Sequence, residues 1–522
     1  VGDSQFFLWD IKSFARPGSF ITVGILVFLT ISVPIGLSPQ KEKSMNDVMP
    51  KPDHKYNAVA ERIEALIEKN VLKVGDKLLS VRALSKEQGI SLSTAFQAYY
   101  LLESKGLVEA RPQSGYYVKY SPEHVLDLPR TSEPPDDALP VTIDDMINSV
   151  YVDLNSRTLL NFSMAAPAIE LLPTAKLNKA VTHVLRESKT SCLHYEHIQG
   201  NVALRKQIAR QAFNWGGTPS ENDIVVTAGC VEALSLCIKA ITNAGDAIAI
   251  ESPTYFAIFQ VMQSHGLKVV EIPTDPVLGL DIDYLEQAIP RFNIKACLVV
   301  SNFNNPLGSC MPDDRKKRLV DMLAKKEIPL IEDDIYGELY FGKTRPKTCK
   351  SFDKKGLVLH CASFSKSLAP GYRIGWAIPG KFKDKVIRLK RMHTVSTNTL
   401  AQAAVADFLS KGRFELHLRH LRKALHTQAL RYVQAVCEYF PEDTCISRPQ
   451  GGFTLWIEMN KKINAYKLHK RALKHNIGIA PGQIFSSQGR FENCFRISYG
   501  EPWNPKIEEG LKTIGKLMRE WR

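Results

Sequence analysis

The chain has 522 residues, 44% hydrophobic and 23% charged, with a formal net charge of +14. This composition excludes a disordered or fibrous chain, and the length exceeds one ordinary domain, so two or three are expected, each able to bury a core. The positive balance favours polyanionic partners such as nucleic acid. Ten cysteines occur without any Cys-x-x-Cys pair, which speaks against a metal site of common zinc spacing and against a disulfide framework, and for a reducing, cytoplasmic setting.

Residues 1–49 form an apolar extension. Phe20 to Leu37 is almost wholly apolar and near the lower length limit of a membrane span. Lys12 and Arg16 precede it, and no small-x-small cleavage site follows, which speaks against a cleaved signal peptide. Two readings stand: a single membrane anchor, or residues upstream of a start at Met45 or Met49. We favour the second and expect no membrane partner.

Residues 50–120 form the first compact unit. Val59, Ile63, Leu66 and Ile67 recur at helical spacing. Ser80 can cap a helix over Val81–Gln88, which Gly89 ends; Ser91 can cap the next, running to about Lys105 with Ala95, Tyr99 and Leu102 on one face. Leu107–Arg111 and Gly115–Val118 read as two strands joined by Pro112-Gln113-Ser114. Residues 121–158 have the proline- and acid-rich composition of a linker, with a short helix expected between Asp144 and Asn155.

From 159 to 522, β-rich runs alternate with helical stretches. Ile224–Val226, Ala247–Ile250, Ala296–Val300, Leu330–Glu332 and Leu357–Cys361 fit buried strands of an α/β domain with a mainly parallel sheet. The large part is expected over about 175–385, and a smaller α+β part makes up the remainder. In such a sheet ligands sit beyond the carboxyl ends of the strands, and polar residues cluster there. Gly229 allows close backbone approach at a helix start that offers N–H groups to a phosphate. Asn305 supplies a neutral amide. In Glu332-Asp333-Asp334-Ile335-Tyr336, a carboxylate can keep a ring nitrogen protonated, and a tyrosine three residues on can reach a ring oxygen. Lys366 stands in Ser363-Phe364-Ser365-Lys366-Ser367, with Arg373 following. A lysine beyond a strand end, flanked by serines and an arginine, suits a Schiff base to an aldehyde cofactor that carries a phosphate.

These residues resemble the fold type I aminotransferases, which use pyridoxal 5'-phosphate (PLP); the likeness covers roughly 160–520. The resemblance implies Lys366 as the aldimine lysine, Asp333 as the pyridinium partner, and Tyr336 with Asn305 on the ring hydroxyl. It implies a phosphate cup of Gly229, Cys230, Val231, Ser363 and Arg373, and a stacking ring from Tyr255. Tyr195 would be lent to the neighbouring subunit's phosphate, and Arg496 would clamp a substrate carboxylate. Such enzymes usually place a glycine near Phe162-Ser163-Met164-Ala165-Ala166-Pro167; the alanines here point to an altered substrate pocket.

The segments from Asp76 to Leu84, Gly89 to Ala95 and Leu107 to Tyr116 resemble the GntR family winged helix-turn-helix, with Leu79 in place of the usual proline. Ser93, Thr94 and Gln97 lie in the first turns of the recognition helix, where base edges come within reach. Arg82 and Arg111 suit phosphate oxygens, and the Ser114-Gly115 tip suits a minor groove. The basic run Lys381, Lys383, Lys385, Arg388, Lys390 and Arg391 reads as a solvated helix face. The order winged helix, linker, aminotransferase-like domain resembles the MocR subfamily of GntR regulators. That implies a homodimer on an operator in double-stranded DNA, each reader crossing to the partner's large domain, with PLP or a small amino compound as effector through the aldimine at Lys366. The rival expectation is a working transaminase with the reader as an accessory.

Overall fold

A computed structural model describes residues 55–68, 71–111, 114–119, 126–140, 146–148, 150, 159–188 and 191–521. The apolar run Phe20–Leu37 and the Pro112-Gln113 part of the hairpin lie outside the described residues. No described helix is long and apolar enough to cross a membrane.

The first unit holds three helices, α1 (Lys55–Glu68), α2 (Val81–Gln88) and α3 (Leu92–Ser104). Ser80 Oγ accepts from the Ala83 N–H and Ser91 Oγ from the Thr94 N–H, each at 3.1 Å, so each hydroxyl satisfies an amide left over by helix geometry. Gly89 ends α2 at φ +59°, a left-handed conformation glycine adopts without strain. Val59, Ile63 and Ile67 of α1 pack with Leu84, Ala95, Tyr99 and Leu102 in one core; Leu66, which shares their spacing, is exposed. Strands β1 (Val108–Arg111) and β2 (Gly115–Val118) pair antiparallel to make the wing.

The segment of linker composition is packed along its described residues. Leu139 bridges to Val269, the Thr274 N–H donates to Ser132 Oγ at 2.9 Å, and Asp136 accepts from Tyr284 at 2.8 Å. Polar composition here reflects a strap over the domain surface whose polar groups are satisfied by the sheet beneath.

The large sheet has eight strands in the order β4-β11-β10-β9-β8-β5-β6-β7. They are β4 (Val225–Thr227), β5 (Ala247–Ser252), β6 (Lys268–Asp275), β7 (Gly279–Leu280), β8 (Ile294–Val299), β9 (Leu330–Asp333), β10 (Val358–Ser363) and β11 (Gly375–Ile378). Neighbours among β10, β9, β8, β5 and β6 are parallel; β11 is antiparallel to both β4 and β10, and β7 to β6. Helices cover both faces, which explains the unbroken apolar character of the central strands. The carboxyl ends of β4, β8, β9 and β10 therefore open on one edge, where Thr227, Val300, Asp333 and Ser363 stand.

A smaller unit carries β12 (Cys445–Ile446), β13 (Thr454–Glu458), β15 (Ala480–Pro481) and β16 (Cys494–Ser498), antiparallel in the order β12-β13-β16-β15. Strand β3 (Leu160–Asn161) pairs parallel with β14 (Ile477–Gly478), so the chain passes through this unit before entering the large sheet. The boundary expected near 385 falls later. Helix Lys383–His393 buries Val386 against the large core, and helix Thr399–Ser410 buries Val405, Phe408 and Leu409 with Leu204 and Ile208. Lys390, expected on a solvated face, is fully buried. Its ammonium donates to the carbonyls of Ile198 (2.7 Å) and Val226 (2.6 Å) and to Thr397 Oγ1 (2.9 Å). Those three acceptors replace water, and the lysine fixes the end of β4.

Candidate functional site

The edge where the strands end opens into a cleft lined by Cys230, Tyr255, Asn305, Asp333, Tyr336, Ser365, Lys366 and Arg373, among others. Its floor is set by sequence. Gly229, at φ +89°, caps helix Cys230–Ile241, and a Cβ there would lie 2.2 Å from an Arg373 guanidinium nitrogen. Arg373 itself sits at φ +53°, with Nη1 donating to Ser365 Oγ at 3.1 Å and Nη2 to the Ala228 carbonyl at 3.2 Å. A helix N-terminus, a guanidinium and a hydroxyl thus converge on one small volume, the donor set an anionic phosphate needs. The serine facing the cleft is Ser365. Ser363 stands behind it, its Oγ 2.7 Å from Ser365 Oγ and 3.0 Å from the Ile374 carbonyl oxygen. Ser365 was legible as the second serine of the same motif, but only the turn after β10 decides which hydroxyl faces in. Val231 is exposed on the first turn of its helix.

Asp333 ends β9 and is buried; its Oδ1 accepts from the Ile335 N–H at 3.1 Å and lies 3.3 Å from Cys230 Sγ. Burial raises its pKa to about 6, against the hydrogen bonds from Cys230 and Ile335. Asn305 Nδ2 donates to the Tyr336 hydroxyl at 3.1 Å, and Arg496 Nη1 donates to Asn305 Oδ1 at 2.9 Å. Arg496 Nη2 also bonds the Ser163 carbonyl. Lys366 Nζ donates to the Ala165 carbonyl at 2.5 Å. Burial, then the charges of Arg496 and Arg373, lower its pKa to about 8. A lysine so depressed holds a larger fraction of neutral, nucleophilic amine near neutral pH. The Ala165-Ala166 segment thus lies over the lysine, where the sequence comparison with aminotransferases placed a glycine.

Asp334 points away from this cleft. Its carboxylate meets Arg345 at 2.5 Å, the Asn302 amide at 2.8 Å and His360 at 3.3 Å. Burial pushes the carboxyl up, but Arg345 and His360 outweigh it and hold the carboxyl well below its ordinary range. Two adjacent aspartates on a strand end face opposite sides, as the twofold strand period requires. Tyr195 does not reach the cleft within one chain: it is 86% exposed.

On the reader, Arg82, Ser93, Gln97, Arg111 and Ser114 are exposed. Thr94 is half-buried, with Oγ1 2.8 Å from the Ser91 cap. Arg111 donates to Glu109 at 2.8 Å and lies 4.3 Å over the Tyr117 ring, and Ser114 Oγ is 2.6 Å from the Tyr117 hydroxyl. Gly115 adopts φ +110° at the wing tip.

The residues of the cleft fit PLP: a glycine-only cradle with a cationic rim, a buried carboxylate beside it and a depressed lysine amine. Comparison with known proteins agrees. Residues 157–514 match the aminotransferase class I and II family, whose members are PLP-dependent, and residues 55–118 match the gntR family of bacterial regulatory proteins. The HTH-type transcriptional regulator YjiR of Escherichia coli is 36% identical over 89% of this chain and 98% of its own length. The 2-aminoadipate transaminase of Thermus thermophilus is 30% identical over 69% of this chain and 90% of its own. The structure of LysN, an alpha-aminoadipate aminotransferase from Thermus thermophilus complexed with N-(5'-phosphopyridoxyl)-L-leucine, superposes with a TM-score of 0.66 at 27% identity, covering 73% of this chain and 98% of that one. With a winged reader ahead of an aminotransferase fold, and relatives that share both along almost their whole length, the chain belongs to the GntR-type helix-turn-helix transcriptional regulators of MocR architecture.

Proposed function

We propose that this regulator binds PLP in the cleft through Lys366, and that loading of the cleft with PLP or with an amino compound resets the affinity of the winged helix for its operator. PLP, when bound, supplies an aldehyde carbon open to amine attack and a pyridine ring that accepts electrons. The chain's own residues have separable tasks in this reading. The Arg373 guanidinium, Ser365 and the amides beginning at Cys230 hold the phosphate. Asp333 holds a proton on the ring nitrogen. Tyr336 and Asn305 donate to the ring oxygen, Tyr255 covers the ring, and Arg496 receives a carboxylate of the amino compound. Tyr195, exposed in one chain, serves the second subunit of a homodimer in this reading. Ser93 and Gln97 face bases; Arg82, Arg111 and the Ser114-Gly115 tip face the phosphate backbone and minor groove. The setting is the cytoplasm, where DNA and PLP are both available.

One observation carries the sensing reading: the segment after β9 belongs to both regions. Asp333 and Tyr336 line the cleft. Farther along, Arg345 donates to Asp334 and to Glu338 (2.8 Å). The Glu338 carbonyl accepts from Arg422 Nε at 2.7 Å, on helix Arg413–Tyr439. The reader meets the large domain of its own chain, where crossing to the partner's was expected: Lys343 Nζ donates to the Tyr56 hydroxyl of α1 at 3.1 Å. The same long helix meets the reader again: Leu430 packs against Gly106, and Gln434 Nε2 donates to the Lys119 carbonyl at 3.5 Å. A change at Asp333 or Tyr336 thus has a short, largely buried and charged route to α1. A ligand shifts an equilibrium only by its differential affinity for two arrangements, and the coupling is reciprocal. The test is genomic footprinting of the purified protein with and without PLP, and with added amino acids. Occupancy that follows the cofactor is expected; operator affinity indifferent to PLP and to every amine tried would overturn the sensing reading.

Catalytic turnover is the second reading, favoured by Arg496 standing 2.9 Å from Asn305 as a carboxylate receptor beside Lys366. Release of keto acid from an amino acid would establish it.

A further inference from the structure

Helix α3 turns an apolar face to solvent. Its buried arc is Ala95, Ala98, Tyr99 and Leu102. On the opposite side Leu92, Phe96 and Tyr100 are 53%, 53% and 54% exposed, spaced i, i+4, i+8 along one stripe, with Ser93 and Gln97 beside them. The helix carries no lysine or arginine, and its single acid, Glu103, lies in the last turn. Cations flank it elsewhere: Arg82 and Lys86 on α2, Lys105 at the far C-cap of α3, and Lys77 and Arg111 around the Tyr117 ring of the wing.

In helix-turn-helix proteins this helix enters the major groove and its first turns meet base edges. There a guanine is read by an arginine or lysine fork, an adenine by a carboxamide, and a thymine by apolar contact with its 5-methyl group. A base-facing side of Leu92, Ser93, Phe96 and Gln97 has no fork for guanine. It does have two apolar side chains and one carboxamide. Resting on the DNA-reading assignment above, we infer that Leu92 and Phe96 are specificity-determining residues that seat thymine methyl groups, with Gln97 on a neighbouring adenine, so that the core of each half-site is A·T. The cations around the helix anchor the phosphates.

The experiment starts from a random-sequence duplex pool selected by the full-length, PLP-loaded protein. The enriched duplex is then resynthesised with uracil in place of thymine, one position at a time. Removing a seated methyl group is expected to weaken binding about fourfold, the equivalent of one buried methylene, at one or two positions per half-site. Leu92→Ala and Phe96→Ala should bind the thymine duplex more weakly and lose the thymine-over-uracil preference, while keeping the cofactor band and helical content of the parent. Enriched sites with a guanine core, or uracil binding as well as thymine everywhere, would overturn the inference and leave DNA binding itself intact. A pool that enriches nothing would instead remove the DNA-reading assignment and this inference with it. Should Phe96→Ala change subunit association while thymine and uracil are still discriminated, the stripe is a protein-docking face and the inference falls.

Discussion

The cleft and the reader place their working groups in opposite environments. In the cleft Asp333, Tyr336 and Arg496 are buried and Lys366 is half-buried, held by one another, by strand ends and by a glycine whose φ of +89° would strain any side chain in its place. In the reader Arg82, Ser93, Gln97 and Ser114 stand in solvent on a domain whose core is made by other residues. The cleft works by geometry fixed in advance, so removing one member disturbs its neighbours and leaves buried charge unpaired. The reader works by surface chemistry, so its members act nearly independently. Substitutions in the cleft should therefore be large and coupled, those in the reader smaller and additive.

Lys366→Met tests that contrast most severely. The variant should lose the visible absorption of lysine-bound cofactor completely while the reader stays folded. It should also stabilise the cofactor-free protein. The folded pKa of Lys366 lies near 8, below its ordinary 10.5. The unfolded chain therefore binds more protons between those values, and stability rises with pH across that window. The penalty of burying the ammonium is fully present below pH 8, on the order of 3 kcal/mol. Urea unfolding of the apo forms should show Lys366→Met ahead at pH 7, with its lead shrinking as pH climbs from 8 toward 10.5. A lead that grows with pH would show that the amine is not buried as a base.

Arg345→Met comes next. It leaves Asp334 buried beside His360 without its guanidinium, which costs about 3–5 kcal/mol. Because Asp334 titrates below its ordinary value of 3.8, the stability it contributes is present above that pH and lost as pH falls through the folded pKa. The gap between parent and variant in urea midpoint should narrow as pH falls from the variant's Asp334 pKa, which burial raises once Arg345 is gone, toward the parent's. A gap below about 1 kcal/mol at pH 7 would mean that the pair is solvated and that the layer behind the cleft resembles the reader in this respect.

What the sequence revealed follows the same division. The strands ending at Thr227, Val299, Asp333 and Ser363 were legible because both faces are covered, so each is an apolar run. β6 was not, because Glu271 and Pro273 interrupt it. Glu271 is nonetheless buried, accepting from the Ser487 N–H at 2.7 Å and lying 2.5 Å from Ser252 Oγ. Lys390 and Ser132 escaped for the same reason: a polar side chain whose partners come from distant segments cannot be told from a solvated one by local pattern. The choice between Ser363 and Ser365 lay in the turn geometry after β10. Caps in the reader were easier, since Ser80 and Ser91 act on amides three residues away.

On the reader, Gln97→Ala should weaken binding to the selected duplex by about 1–3 kcal/mol and relax preference at one base pair. Arg82→Ala should weaken all sequences alike and reduce the slope of log affinity against log salt by about 1. The two should add in the double variant, with the cofactor band untouched. Strong non-additivity would show that the reader, like the cleft, is a cooperative unit.

Tyr56→Phe should have the smallest effect on either region alone, and it bears on how they are joined. The hydroxyl accepts an exposed hydrogen bond from Lys343, and stability should change by less than about 1 kcal/mol. Cofactor absorption and DNA affinity, measured separately, should match the parent. The quantity expected to move is the ratio of operator affinities with and without PLP, because only that ratio contains the coupling free energy between the sites. If Lys343 transmits part of the difference, the ratio falls toward one. If it stays at the parental value, the signal runs through helix Arg413–Tyr439, where Arg422 meets Glu338 and Leu430 meets Gly106. Arg422→Met would then collapse the ratio in place of Tyr56→Phe, so the pair of variants separates an exposed contact from a buried one as the link between a preorganised cleft and a solvated reader.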